Sequence, residues 1–331
     1  MRSLPSLRHR SSLAAALLSA GTLAAPRAAH ADPSKLPPEV GYNYNELETG
    51  RSAALGGATR ALGPDVTALF TNPANMAASR VYHLSAIAQI WPEAGRQSYG
   101  AAAVDSVTSR LAGGLSGTYT QQDPDGLKRK ITDVRFGLAY PLSERIFVGA
   151  TGKYLKLRQD GLGPFGQSYA SGGIQNDAII NTWSFDAGIT AKPADALSLS
   201  LVGTNLTNPG TGLRPLSLGG GAAFGTQDFS LEADMVGDFT TYQKTKTRLM
   251  AGGELLVGDH VPLRAGYRYD DGLKSHAISG GLGYIDTSFA VELSVRRVVS
   301  GDAATAITIG LSYFLESSGL TRSPSDFDMP P

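Results

Sequence analysis

The sequence predicts an all-β fold: a closed antiparallel transmembrane β-barrel of about 14 strands, with 12 as the nearest alternative. Three observations predict it. Apolar and polar residues alternate with a period of two from Arg80 onward, the pattern of strands with one apolar and one polar face. The alternating segments run to about ten residues, the length a tilted strand needs to cross hydrocarbon. The connections between them are tight at one end and often longer at the other, as in outer-membrane barrels.

The chain opens with Arg2, Arg8 and Arg10, then an uncharged apolar-to-small run from Ser11 to Ala25, then Ala29-His30-Ala31. This order predicts a secretory signal peptide over 1–31, cut before Asp32. Its apolar run is too short to span a bilayer, and no later stretch reaches about 18 apolar residues. The signal carries Arg2, Arg8, Arg10 and Arg27 and no acid, which leaves 25 basic and 29 acidic residues and a net charge of −4. That balance offers no basic footprint, so no nucleic-acid partner is expected. Cysteine is absent, which excludes a disulfide framework and a thiolate metal site. No cofactor is expected.

The segment 32–79 precedes the first strand. Its core, "SAALGGATRALGPDVTALFTNPANMA" from Ser52 to Ala77, has the glycines of a phosphate loop but not the loop itself. A P-loop needs Lys and then Ser or Thr after its last Gly, whereas Ala58-Thr59 follow Gly57 and Pro64-Asp65 follow Gly63. Two short helical turns are predicted instead. Pro64 suits a first helical position and Asp65 a first turn, with Val66, Leu69 and Phe70 on one face. Pro73 turns Asn72 away from helix, and Asn72 then caps a second turn that includes Met76. The small residues before these turns permit close backbone packing. Such a compact segment fits a barrel mouth.

Strands are predicted near 80–91, 97–106, 109–121, 130–140, 145–157, 180–191, 196–204, 214–224, 228–238, 247–257, 261–270, 274–285, 287–298 and 304–315. Segments 97–106, 145–157 and 247–257 alternate poorly. The apolar face is expected to meet lipid and the polar face to line the lumen, since only a closed barrel pairs every backbone group within the membrane. Asp133, Arg135, Asp186, Glu232, Asp234, Arg264, Arg268, Asp270, Glu292 and Arg296 are then candidate lumen-facing charges. Mixed in sign, they fit either a polar conduit or a set of pairs filling a narrow lumen. Trp91, Trp183, Tyr82, Tyr140, Tyr267 and Tyr313 are candidates for an aromatic girdle.

"GRSAALGGATRALGPDVTALFTNPANMA" resembles the N-terminal hatch of FadL-type outer-membrane proteins. The motif residues here are Asp65, Phe70, Asn72, Pro73 and Ala74, with Met76 beside them. The resemblance implies a 14-stranded barrel over 80–315, plugged by the hatch 32–79 and followed by a polar tail 316–331. It implies residence among outer-membrane lipids in a Gram-negative cell and passive passage of small hydrophobic or amphipathic molecules. The same broad family includes PorV-like barrels of protein secretion and surface attachment. The alternative is therefore a non-transporting anchor or subunit of an envelope machine, with other envelope proteins as partners. The chain departs from the hydrophobic-substrate transporters in three ways: its connections are short, its candidate lumen is charged, and it ends on a tail rather than a terminal aromatic. An enzyme is not expected. The mature histidines are His83 and His276, expected at outer or middle strand positions, and His260 in a short turn, and no triad is readable around them.

Overall fold

The computed structural model describes residues 47–123, 128–158, 178–209, 214–242 and 244–315. The signal 1–31, residues 32–46, the connection from Gln159 to Asp177 and the tail 316–331 lie outside the described residues.

Fourteen strands form one closed barrel in which each strand pairs with its sequence neighbours and β1 pairs with β14. They are β1 Tyr82–Trp91, β2 Arg96–Asp105, β3 Ala112–Gln122, β4 Arg129–Ser143 and β5 Ile146–Arg158. β6 Ala178–Ala194, β7 Leu197–Thr204, β8 Ser217–Gly225, β9 Phe229–Asp238 and β10 Lys246–Val257 follow. β11 Val261–Asp270, β12 Ser275–Ile285, β13 Phe289–Ser300 and β14 Thr305–Leu315 close the ring. All pairings are antiparallel, so the barrel has no open sheet edge.

The side-chain alternation sets the two surfaces. On β9, Phe229, Leu231 and Met235 are exposed outward while Glu232 and Asp234 are buried inward. On β4, Val134, Phe136, Leu138 and Tyr140 face out while Asp133 and Arg135 face in. An exterior so rich in exposed Leu, Phe and Tyr is the surface of a barrel embedded in lipid.

The three poorly alternating segments are all strands, β2, β5 and β10. Their inward positions carry apolar residues, Ala102 and Val104 on β2, Phe147 on β5 and Met250 on β10. These face the buried N-terminal segment rather than water, which erases the polar half of the pattern. Two strand starts shift by three residues. β3 starts at Ala112 rather than 109, because Asp105 and Ser109 accept the turn N–H groups of Val107, Thr108 and Leu111. β8 starts at Ser217 rather than 214, because Pro215 has no N–H for a ladder and gives its carbonyl to Asn205.

Trp91 is not a girdle residue. It points inward, is buried, and has the guanidinium groups of Arg96 and Arg296 at 5.4 and 5.2 Å from its ring. Trp183, Tyr140, Tyr267 and Tyr313 are exposed on the outer face.

Candidate functional site

Leu47 to Ala78 form a compact segment whose contacts are with inward-facing wall residues. It contains helix α1 Gly50–Ala54, a 3-10 turn Asp65–Thr67, helix α2 Ala68–Thr71 and a 3-10 turn Pro73–Ala77. The Thr49 side chain accepts the Ser52 N–H to cap α1. Pro64 sits one residue before its expected place and is the cap of the 3-10 turn, while Asp65 begins that turn at φ +60°. Asn72 caps the second turn as the sequence suggests, its Oδ1 accepting the Ala74 N–H at 3.2 Å.

One side of the segment is apolar. Val66, Ala68, Leu69, Ala74, Met76 and Ala77 pack with Ala102, Val104, Ala112, Ala139 and Phe147 of β2–β5. Phe70 packs against this cluster with the Arg135 guanidinium 4.8 Å from its ring. The backbone approaches the wall closely enough to require glycine. A Cβ on Gly149 of β5 would lie 2.5 Å from the Pro73 carbonyl carbon, and one on Gly266 of β11 would lie 2.3 Å from the Gly56 nitrogen.

The other side is charged. Glu48 joins Arg268 and Arg296. Arg51 pairs with Glu254 at 3.2 Å, Glu254 also binds Arg264, and Arg264 binds Glu292. Four successive N–H groups, from Thr59 to Leu62, donate to two carboxylates of β9: Thr59 and Arg60 to Asp234, Ala61 and Leu62 to Glu232. The Arg60 guanidinium adds a contact to Asp234 at 3.2 Å. The small-residue run is thus an anion-binding stretch of backbone whose anions belong to its own wall. Between the two sides, Asn72 Nδ2 donates to Thr190 of β6 at 2.9 Å, and Thr190 donates to Asn75 at 2.6 Å.

A second network lies on β4–β6. Asp133 receives Arg135 at 3.0 Å and Arg214 at 2.8 Å, and Lys153 pairs with Asp186 at 2.6 Å. Arg135 also reaches the Leu69 carbonyl at 3.2 Å, which ties this network to the segment. Asp270 pairs with Arg248 at 3.2 Å nearer the long-connection end. All ten candidate lumen charges therefore face inward, and nine of them have an opposite-charge ion-pair partner. Glu232 meets its partner charge through backbone N–H groups and the nearby Arg51 rather than a direct ion pair. Sequence reasoning missed Glu48, Arg51, Arg60, Lys153, Arg214 and Glu254. Their only early signal was charge in otherwise small or apolar surroundings.

Asp65 and His83 meet at the short-turn end, Oδ1 to Nδ1 at 3.4 Å. His83 lies opposite Phe314 in the β1–β14 register, so it is at that end and not at an outer or middle position. Burial pushes the Asp65 carboxyl up, but the facing His83, the Thr67 N–H and the charge of Arg51 outweigh it and hold it below its ordinary value. Burial likewise opposes the charge on Arg51, and Glu254, Glu232 and Asp65 reverse that effect and raise it. Beside this pair is a cavity of about 310 Å³, whose lining includes Leu62, Pro64, Asp65, His83, Ile285 and Phe314.

The wall from β1 to β4 is continuous. The β1–β2, β2–β3 and β3–β4 ladders run without a register shift. Shifts occur at Pro141/Ser143, Leu157/Arg158, Ala191/Ala194 and His276/Ala277, all close to strand ends. Among the described residues, no group of three or more His, Asp or Glu is placed to hold a metal ion.

No family model matches the chain, and no curated protein matches it. Solved structures do. A structure of the CymD monoaromatic hydrocarbon channel superposes with a TM-score of 0.61 at 13% identity, covering 83% of this chain and 98% of that one. The toluene transporter TbuX of Ralstonia pickettii gives 0.57 at 14% identity, over 82% and 99% of the two chains. A FadL homologue of Pseudomonas aeruginosa gives 0.54 at 17% identity, over 82% and 97%. The chain has the fold of the FadL-type outer-membrane barrels.

Proposed function

We propose that this chain is an outer-membrane barrel for passive passage of small hydrophobic or amphipathic molecules, with the segment 32–79 as its hatch. The observation that carries the reading is the cavity of about 310 Å³ between that segment and the short-turn wall, an amphipathic space where apolar Leu62, Ile285 and Phe314 meet the charged Asp65, Lys192 and Glu254. It gives a molecule that has passed the segment somewhere to go. Likeness in fold to hydrocarbon channels supports the same reading. Because the β1–β4 ladders are unbroken, passage along the axis with displacement of the segment is favoured over a side opening there. Asp65, Phe70, Asn72, Pro73, Ala74 and Met76 would then be hatch residues that set its seat.

A second reading has its own observation. The pairs from Glu48, Arg51 and Arg60 to the β9–β13 wall close the lumen with buried charge, which suits a permanently stoppered barrel acting as an anchor or subunit of an envelope machine. Flux into vesicles carrying the purified chain separates the two. A neutral aromatic, a medium-chain acid and a sugar are offered in turn. Entry of the aromatic or the acid supports passage, and no entry by any of the three leaves the anchor.

A further inference from the structure

The outer surface of β2–β6 changes character in register steps toward the long-connection end. The lowest step pairs Phe136 with Gly152 and Gly152 with Phe185. Above it, Val134 pairs with Tyr154 and Tyr154 with Trp183, whose ring centroids are 5.0 Å apart. The next step runs Tyr99, Tyr119, Thr132, Lys156 and Asn181. The top step runs Gln97, Gln121, Lys130 and Arg158. Tyr99, Tyr119, Lys130, Arg158 and Trp183 are exposed.

Lys130 and Arg158 are direct cross-strand partners, with Lys156 on the adjoining step and exposed Lys128 just before the strand. Like charges placed directly opposite destabilise a sheet. Inside the barrel the cations Arg135, Lys153, Arg214 and Arg248 each have a carboxylate. Here, among the described residues, none of Lys128, Lys130, Lys156 and Arg158 has an ion-pair partner. Asp123, the described acid at this edge, accepts the Lys128 backbone N–H at 3.2 Å. An aromatic band with cations directly above it is the order of chemistry met on passing from acyl chains to headgroups.

We propose that the outward face of β4 and β5 at the long-connection end binds the phosphate groups of a glycolipid in the outer leaflet, through Lys130, Lys156 and Arg158. Its acyl chains lie along Tyr154, Trp183, Phe136 and Phe185. Phosphate oxygens supply the acceptors that no described side chain provides, and they remove the repulsion between Lys130 and Arg158. The binding is independent of whether anything crosses the lumen.

The test uses the full chain in phosphatidylcholine nanodiscs doped with bis-phosphorylated lipid A or its dephosphorylated form, with retained glycolipid counted by native mass spectrometry. The wild type should retain the phosphorylated form preferentially. The K130Q/K156Q/R158Q variant should retain it roughly tenfold less or weaker still. Equal retention by the variant, or equal retention of the dephosphorylated lipid, overturns the proposal. So does displacement by excess inorganic phosphate at constant ionic strength, which marks a free-anion site. The wild type supplies a check that needs no variant: rising sodium chloride should strip the phosphorylated lipid, and salt-insensitive retention also overturns the idea.

Discussion

The N-terminal segment meets the barrel on two opposite arcs with different physics. On β2–β5 it rests Leu69 and Met76 against Ala102, Ala139 and Phe147. On β9–β13 it is held by carboxylates, guanidinium groups and four consecutive backbone N–H groups. Apolar contact is non-directional and scales with area, so a small slide costs little. A carboxylate that accepts backbone N–H groups has fixed geometry, and withdrawing one partner strands the other in a dry interior. The charged arc therefore sets the register of the segment, and the apolar arc only supports it. Any displacement has to break the charged contacts together.

The largest expected effect comes from breaking the charged arc. Asp234→Ala strands the Thr59 and Arg60 N–H groups and the Arg60 guanidinium, and should weaken the seat by about 4 kcal/mol. Hydrogen exchange at the amides of 59–62 reads it directly; unchanged protection there would contradict the comparison. Met76→Ala should cost about 3 kcal/mol on the other arc. Exchange should then rise over 66–77 while 59–62 stay protected, and a matching rise at 59–62 would mean that the arcs act as one. Gly149→Ala puts a methyl group against the Pro73 backbone and should cost about 2 kcal/mol, loosening the turn Pro73–Ala77 while the barrel keeps its heat-modified gel migration. A lost barrel band would place the strain in the wall instead.

The smallest effect is from pH. The Asp65 carboxyl is held below its ordinary value of 3.8, so its contribution is fully present above that value and is lost as pH falls through the lower folded one. The Thr67 amide, which donates to Asp65 at 3.0 Å, should lose protection only in strong acid, once intrinsic exchange is corrected for. Loss beginning near neutrality would contradict the assignment to Asp65.

The strands were legible because lipid outside and polar groups inside give a period of two, and their parity survived even where the pattern blurred. The blur itself was informative. Ala102, Val104, Phe147 and Met250 are apolar on the inner face because they touch another part of the protein. Asn72 was legible as a cap from Pro73 alone. The ion pairs were not legible, because Glu48 and Arg296 become neighbours only once fourteen strands have a register. Helix α1 was not legible either. Five residues of Gly, Arg, Ser and Ala do not hold a helix unaided, and it forms on the wall of β11–β13.

The partners of Glu48 have a consequence in time. Arg268 and Arg296 lie 220 and 248 residues further along the chain. Contacts of such high order close late, because the entropy of so long a loop is lost before any contact repays it. Residues 59–62 likewise wait for β9 to arrive. The part of the described chain that is synthesised first thus takes its final place only when nearly all the wall has been laid. Until then its unsatisfied N–H groups are open to other anions.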